Sequence, residues 1–146
     1  MHQIRTEVLI PASPDKVWAV LADFASYGAW NPLNLEARGE AVLGAKVAMV
    51  FVNPAAGGGK TISQTVTVTS CEPGTSLAWS GTVPLLFKGR HHFTLTAEGD
   101  GTRVRHGEDL EGLVAMSFSK ARIARDFVPH YHAVNAALAG RVAMLG

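Results

Sequence analysis

The sequence predicts an α+β domain in which a seven-stranded antiparallel sheet wraps around one long C-terminal helix, with two short helices between strands 1 and 2. Three observations predict it. Alternating apolar and polar runs fill residues 33–110, separated by turn residues and by no segment long enough for a parallel crossover. Apolar residues in the last third recur every three or four positions, as on one face of a helix. The 146 residues suit a single domain spanning residues 1–146, large enough to bury a core unaided.

The first strand reads from Gln3 to Ile10, with Ile4, Thr6, Val8 and Ile10 on one side. Ser13 is placed to cap a helix, Pro14 fits its first position, and Asp15 suits its positive end. Val17, Trp18, Val20 and Leu21 carry that helix to about Ala22. Asp23 opens a second short helix, Phe24 to about Gly28, and Asn31-Pro32 ends it, since the residue before proline avoids the helical region. Strands follow at 35–38, 46–52, 62–71, 75–82, 89–97 and 102–110. Turn chemistry separates them at Leu43-Gly44, Asn53-Pro54 with Gly57-Gly58-Gly59, Pro73-Gly74 and Gly99-Asp100-Gly101. The closing helix carries the stripe Met116, Ile123, Phe127, Tyr131, Val134, Leu138, Val142 and Leu145. Pro129 lies inside it and should kink or split it near Val128.

Composition excludes several function classes. Hydrophobic residues at 47% exclude a disordered chain. Thirteen Lys and Arg against twelve Asp and Glu leave a net charge of +1, which argues against nucleic acid as a partner. One cysteine, Cys71, allows no intrachain disulfide and no cysteine-based metal cluster. No apolar run is long enough to span a membrane, and the polar start, Met1 to Glu7, carries no secretory signal, so a cytoplasmic protein without stable membrane insertion is expected. Gly59-Lys60-Thr61 lacks the first glycine of a phosphate loop, because Pro54 stands there, and a strand follows it. The apolar connection Val83-Pro84-Leu85-Leu86-Phe87-Lys88 is a gate, a membrane-touching tip or plain packing against the final helix. The chain is expected to be a monomer or homodimer.

The chemistry concentrates on two neighbouring strands. On 89–97 the more apolar set, His91, Phe93, Leu95 and Ala97, must face the helix. On 102–110, water claims Arg103, Arg105 and Asp109, which turns Val104, His106, Glu108 and Leu110 inward. The connection Glu98-Gly99-Asp100-Gly101 then sets His91 opposite Glu108 and Phe93 opposite His106. This follows if Ala97 pairs with Thr102; a one-residue slip would bury the arginines, whereas a two-residue shift through a bulge would not. Two imidazoles and a carboxylate on an inward face need a reason, because an unpaired buried carboxylate is costly. They form a satisfied structural network, orient the polar end of a ligand, work as an acid–base pair of His91 and Glu108, or hold a metal ion with His106. No metal or cofactor is assigned. Trp30, Phe51, Trp79, Phe93, Phe127 and Tyr131 are the expected walls of a ligand site. Gly81 leaves room beside Trp79. Tyr131 and Asn135, four apart on the helix, present a hydroxyl and an amide to it.

Several segments resemble the SRPBCC superfamily, which includes START-like lipid-transfer domains, birch-pollen-allergen-like proteins and polyketide cyclases. The opening resembles it in Ala12-Ser13-Pro14-Asp15-Lys16-Val17-Trp18 and Phe24-Ala25-Ser26-Tyr27-Gly28-Ala29-Trp30-Asn31-Pro32. The middle does so in Leu77-Ala78-Trp79, Phe87-Lys88-Gly89-Arg90-His91-His92-Phe93-Thr94-Leu95 and Gly101-Thr102-Arg103-Val104-Arg105-His106-Gly107-Glu108 with Gly112. The closing helix does so in Val134-Asn135-Ala136-Ala137-Leu138. The resemblance spans essentially the whole chain and implies a helix-grip fold with a deep hydrophobic cavity. It leaves function open, because fold does not fix function. The leading expectation is a protein that binds a hydrophobic or amphipathic small molecule, of lipid, polyketide or isoprenoid type, between sheet and helix. The alternatives are a cyclase- or dehydratase-like enzyme using His91 and Glu108, and a regulatory or interaction module that meets its partner through loop 83–87.

Overall fold

The computed structural model describes residues 1–146. Strand β1 (His2–Ile10) leads into helix α1 (Pro14–Leu21), whose first turn is capped as the sequence requires: the Lys16 amide donates to the Ser13 hydroxyl. A 3₁₀ turn, Phe24–Ala29, follows. Asp23 precedes it but does not cap its backbone, because its carboxylate takes the Ser26 hydroxyl at 2.6 Å. Strands β2 (Asn34–Arg38), β3 (Lys46–Val52), β4 (Thr61–Glu72), β5 (Ser76–Val83), β6 (Phe87–Glu98) and β7 (Gly101–Glu111) then run as an antiparallel meander. The sheet order is β1-β7-β6-β5-β4-β3-β2, so the first strand closes against the last. Register shifts between Val68 and Ser70 and between Asn34 and Glu36 add local bend, as bulges do, and help curl the sheet.

Short helices α2 (Leu113–Met116) and α3 (Lys120–Arg122) lead through a π-helical turn, Ile123–Phe127, into helix α4 (Val128–Leu145). From α3 onward the helix is continuous over 26 residues. The interruption expected at Pro129 therefore takes a particular form. Pro129 has no N–H to give and its ring crowds the preceding turn. The chain widens by one residue just before it, with the Val128 N–H reaching the Ile123 carbonyl, and α4 restarts with Pro129 in its first turn. Two members of the expected stripe fall outside it. Met116 sits on α2 and Leu145 at the last position of α4, and both are exposed. Ile123, Phe127, Tyr131, Val134, Leu138 and Val142 are buried.

The core is uneven along α4. Its C-terminal end lies beside α1, and Val17, Leu21, Val134 and Leu138 are sealed from solvent. Toward its N-terminal end, the helix stands away from β3, β4 and β5. The backbone of the connection between β5 and β6 is held by α2, where the Leu113 and Val114 amides donate to the Leu85 and Leu86 carbonyls. Leu85 itself is 86% exposed at a positive φ of 66°. No helix is long and apolar enough to cross a membrane.

Candidate functional site

Where the helix stands away from the sheet, a cavity of about 370 Å³ opens. Its walls are apolar: Phe51 and Val66 on the far strands, Trp79 and Phe87 in the middle, Phe118 and Phe127 from the helical side. Asn53, Pro54 and Ala55 of the loop after β3 stand at its edge, and the Arg122 guanidinium ties that loop to the helix by donating to the Ala55 carbonyl at 3.0 Å.

Pairing between β6 and β7 places His91 opposite Glu108 and Phe93 opposite His106, the register expected from pairing Ala97 with Thr102. Glu108 and His91 both line the cavity. One carboxylate oxygen of Glu108, Oε1, accepts the Tyr131 hydroxyl at 2.5 Å and faces His91 Nδ1 at 3.1 Å. The other ring nitrogen of His91 meets His106 Nε2 at 2.6 Å. His106 Nδ1 lies 2.9 Å from the Asn135 carbonyl oxygen. The Asn135 amide donates to the Thr6 hydroxyl at 2.8 Å, and that hydroxyl donates to the His106 carbonyl at 2.7 Å. The chain thus runs unbroken from the cavity to β1. The imidazole of His91 is clamped flat as well, stacked on Trp79 at 4.8 Å and on Tyr131 at 5.5 Å.

Burial drives the electrostatics. His106 is pushed well below the usual histidine range, first by desolvation and then by His91. Tyr131 is pushed well above the usual phenol range by desolvation, reinforced by the Glu108 carboxylate. His106 is therefore neutral and Tyr131 keeps its proton at neutral pH. The two imidazoles meet at hydrogen-bond distance, closer than the ~3.3 Å separating two nitrogens on one tetrahedral zinc ion. Both are committed to the chain.

Two glycines make the polar end accessible. Gly81 and Gly89 are partners across β5 and β6. A Cβ on Gly89 would lie 2.5 Å from Glu108 Oε2, and one on Gly81 would lie 2.5 Å from Gln64 Oε1. Only a residue without a side chain lets these groups lie against the sheet.

Of the expected site residues, the structure brings Phe51, Trp79, Gly81, His91, Glu108, Phe127 and Tyr131 to the cavity. Phe93, His106 and Asn135 do not reach it. Each lies one step further toward the packed end than a lining neighbour on its own element: Phe93 beyond His91, His106 beyond Glu108, Asn135 beyond Tyr131. Phe93 is stacked flat on His106 at 4.1 Å, inside the closed core. Trp30 is elsewhere. It follows the 3₁₀ turn, packs edge-on against Tyr27 at 5.2 Å and borders a separate depression beside α1. Cys71 is half-buried, bonded to the Ala41 carbonyl, and its thiol is pushed up by burial.

Four of the lining residues outside the expected set show how much signal the sequence holds. Phe87 and Gly89 continue the inward parity of His91 and Phe93, but the sequence pattern places residue 87 in the loop before the strand, whereas β6 begins there. Gln64 shares the parity of buried Val66 and Val68, a usable signal. Asn34, buried beside the cavity, gave none.

A family model described as polyketide cyclase / dehydrase and lipid transport matches residues 1–143. Curated protein sequences give no match. Among solved structures, a START superfamily protein from Mycobacterium smegmatis superposes with a TM-score of 0.81 at 16% identity, over 100% of both chains. The protein Ara h 8.0201 superposes at 0.72 with 14% identity, over 98% of each chain. The di-domain ARO/CYC StfQ from the steffimycin biosynthetic pathway superposes at 0.72 with 15% identity, over 98% of this chain and 50% of the other. Identities this low carry the fold: a curled antiparallel sheet around a long C-terminal helix, the helix-grip arrangement.

Proposed function

The chain belongs to the polyketide cyclase / dehydrase and lipid transport family, and on that premise we propose that it binds an amphipathic small molecule between sheet and C-terminal helix. The observation that carries this reading is a cavity with apolar walls whose one carboxylate, Glu108, sits at its inner end. Few polar groups among many apolar ones is the usual design of a small-molecule site. The apolar body of the ligand lies against Phe51, Trp79 and Phe127, and its polar end meets Glu108 and Gln64.

The test is native mass spectrometry of the purified protein, followed by denaturation to release and identify any adduct, with titration of the neutral fluorophore N-phenyl-1-naphthylamine alongside. A saturable fluorescence rise at one site per chain supports the reading. No adduct together with no saturable fluorescence refutes it.

A cyclase- or dehydratase-like role is favoured by one observation, a carboxylate that touches the cavity. The roles expected for the pair change. His91 uses both ring nitrogens within the protein, so it contacts Glu108 rather than a substrate. Glu108 is then the group that meets the reacting atoms. Glu108→Ala that retains ligand binding but abolishes turnover of a candidate substrate supports the enzyme; equal turnover in both proteins removes it.

A further inference from the structure

The hydrogen-bond chain behind Glu108 has a fixed direction, and that direction constrains the ligand. A carbonyl has no hydrogen to give, so across 2.7 Å the Thr6 hydroxyl must donate to the His106 carbonyl. Its one hydrogen is then spent, and it accepts from the Asn135 amide nitrogen. This turns the Asn135 carbonyl oxygen toward His106 Nδ1, which must carry a hydrogen. His106, buried and neutral, therefore offers a bare Nε2, and His91 Nε2 donates to it.

One proton remains to be placed, between His91 Nδ1 and Glu108 Oε1. Two bare lone pairs do not hold 3.1 Å as a hydrogen bond, so a proton lies between them. It sits on nitrogen, giving an ion pair, or on oxygen, giving two neutral groups. In both cases Oε1 is the atom that serves His91 and Tyr131. Oε2, resting over Gly89 at the cavity, keeps its lone pairs and has no hydrogen in either state.

The geometry points to a ligand whose polar end is an uncharged hydrogen-bond donor, a hydroxyl group bound to Glu108 Oε2, and to exclusion of carboxylate and phosphate head groups. This rests on the small-molecule reading above and narrows it. No Lys or Arg lines the cavity, and the one imidazole there has no free nitrogen to receive an anion. A ligand carboxylate would bring lone pairs against lone pairs. A hydroxyl donates to Oε2, and the Gln64 amide, across the paired glycines, is placed on its other side.

The test compares three ligands of equal chain length by displacement of N-phenyl-1-naphthylamine at about pH 8: decan-1-ol, its methyl ether, and decanoate. Decan-1-ol is expected to compete about tenfold better than the ether, which lacks the donor, the scale of one hydrogen bond, and better still than decanoate. In Glu108→Ala the advantage of alcohol over ether should fall to about twofold or less. Decanoate or the ether competing as well as the alcohol in the wild-type protein overturns the inference while leaving the cavity reading intact. Failure of the fluorophore and of all three ligands to bind overturns both. The wild-type comparison decides the matter even if Glu108→Ala does not fold.

Discussion

His106 makes the fold sensitive to acid in a window that opens below pH 6.5. Its ring is 1% exposed, bounded by Phe93, His91 and Tyr131, and its Nε2 is an acceptor. Protonation would place a charge in the core and set two N–H groups against each other. In the unfolded chain the same histidine titrates near the ordinary histidine value of 6.5. The folded-state value is lower, so below pH 6.5 the unfolded state binds a proton that the native state refuses. The stabilisation is fully present above that pH and is lost as pH falls toward the folded value. While the native state stays unprotonated, each pH unit below 6.5 costs at most about 1.4 kcal/mol from this residue. His92, on the outer face, is lowered by burial and by Arg5 and acts in the same direction to a smaller extent. Glu98 and Asp126, held below the usual carboxylate range by Arg103 and Arg125, lose their contribution only at lower pH. The assay is urea unfolding at half-unit steps from pH 7.5 to 4.5, for the wild type and for His106→Leu. The variant is less stable throughout, because Asn135 and His91 lose their partner, but its curve should be flatter across pH 6.5 to 4.5. Equal slopes in the two proteins, or a wild-type midpoint independent of pH in that window, would refute the assignment of a neutral His106.

Three further perturbations follow from the packing. Gly89→Ala drives a methyl group to 2.5 Å from Glu108 Oε2 and 3.0 Å from the Phe87 ring; fluorophore titration should show at least about a tenfold loss of affinity, and unfolding a loss of about 1–3 kcal/mol from overpacking. Leu138→Ala, at a fully sealed position of α4, should cost about 2–5 kcal/mol by urea unfolding while leaving fluorophore affinity nearly unchanged, because it lies in the packed half. Leu85→Gly relieves a non-glycine residue at φ 66° whose side chain is exposed, so thermal unfolding should register a gain of about 0.5–1 kcal/mol rather than a loss.

Much of the fold was legible because single residues had one acceptable placement. Arg103 and Arg105 could not go inside, which set the faces of β6 and β7, and the tight Glu98–Gly101 connection then set the register that brings His91 to Glu108. Ser13-Pro14 marked a helix start that the backbone adopts. Pro129 announced an interruption, but a proline signals a missing hydrogen bond and not how the chain absorbs it, so the π-helical turn was invisible. The site was legible in face and illegible in depth. Alternation says which side of a sheet a residue occupies, not how far along the strand the cavity ends. Phe93, His106 and Asn135 were therefore grouped with His91, Glu108 and Tyr131, although one step along each element separates packed core from open space. Trp30 was misplaced for another reason: a 3₁₀ turn sets side-chain directions that neither helical nor strand periodicity describes.

The division of α4 into a packed half and an open half gives the occupant a second part to play. A void of about 370 Å³ is a section of core that the chain does not supply, and whatever fills it restores the missing contacts between Phe127, Tyr131 and the sheet. Binding and folding are then one equilibrium. A ligand at a hundred times its dissociation constant raises stability by about 2.7 kcal/mol. Thermal denaturation becomes a search instrument: the compound that moves the transition most is the one whose shape completes the interior.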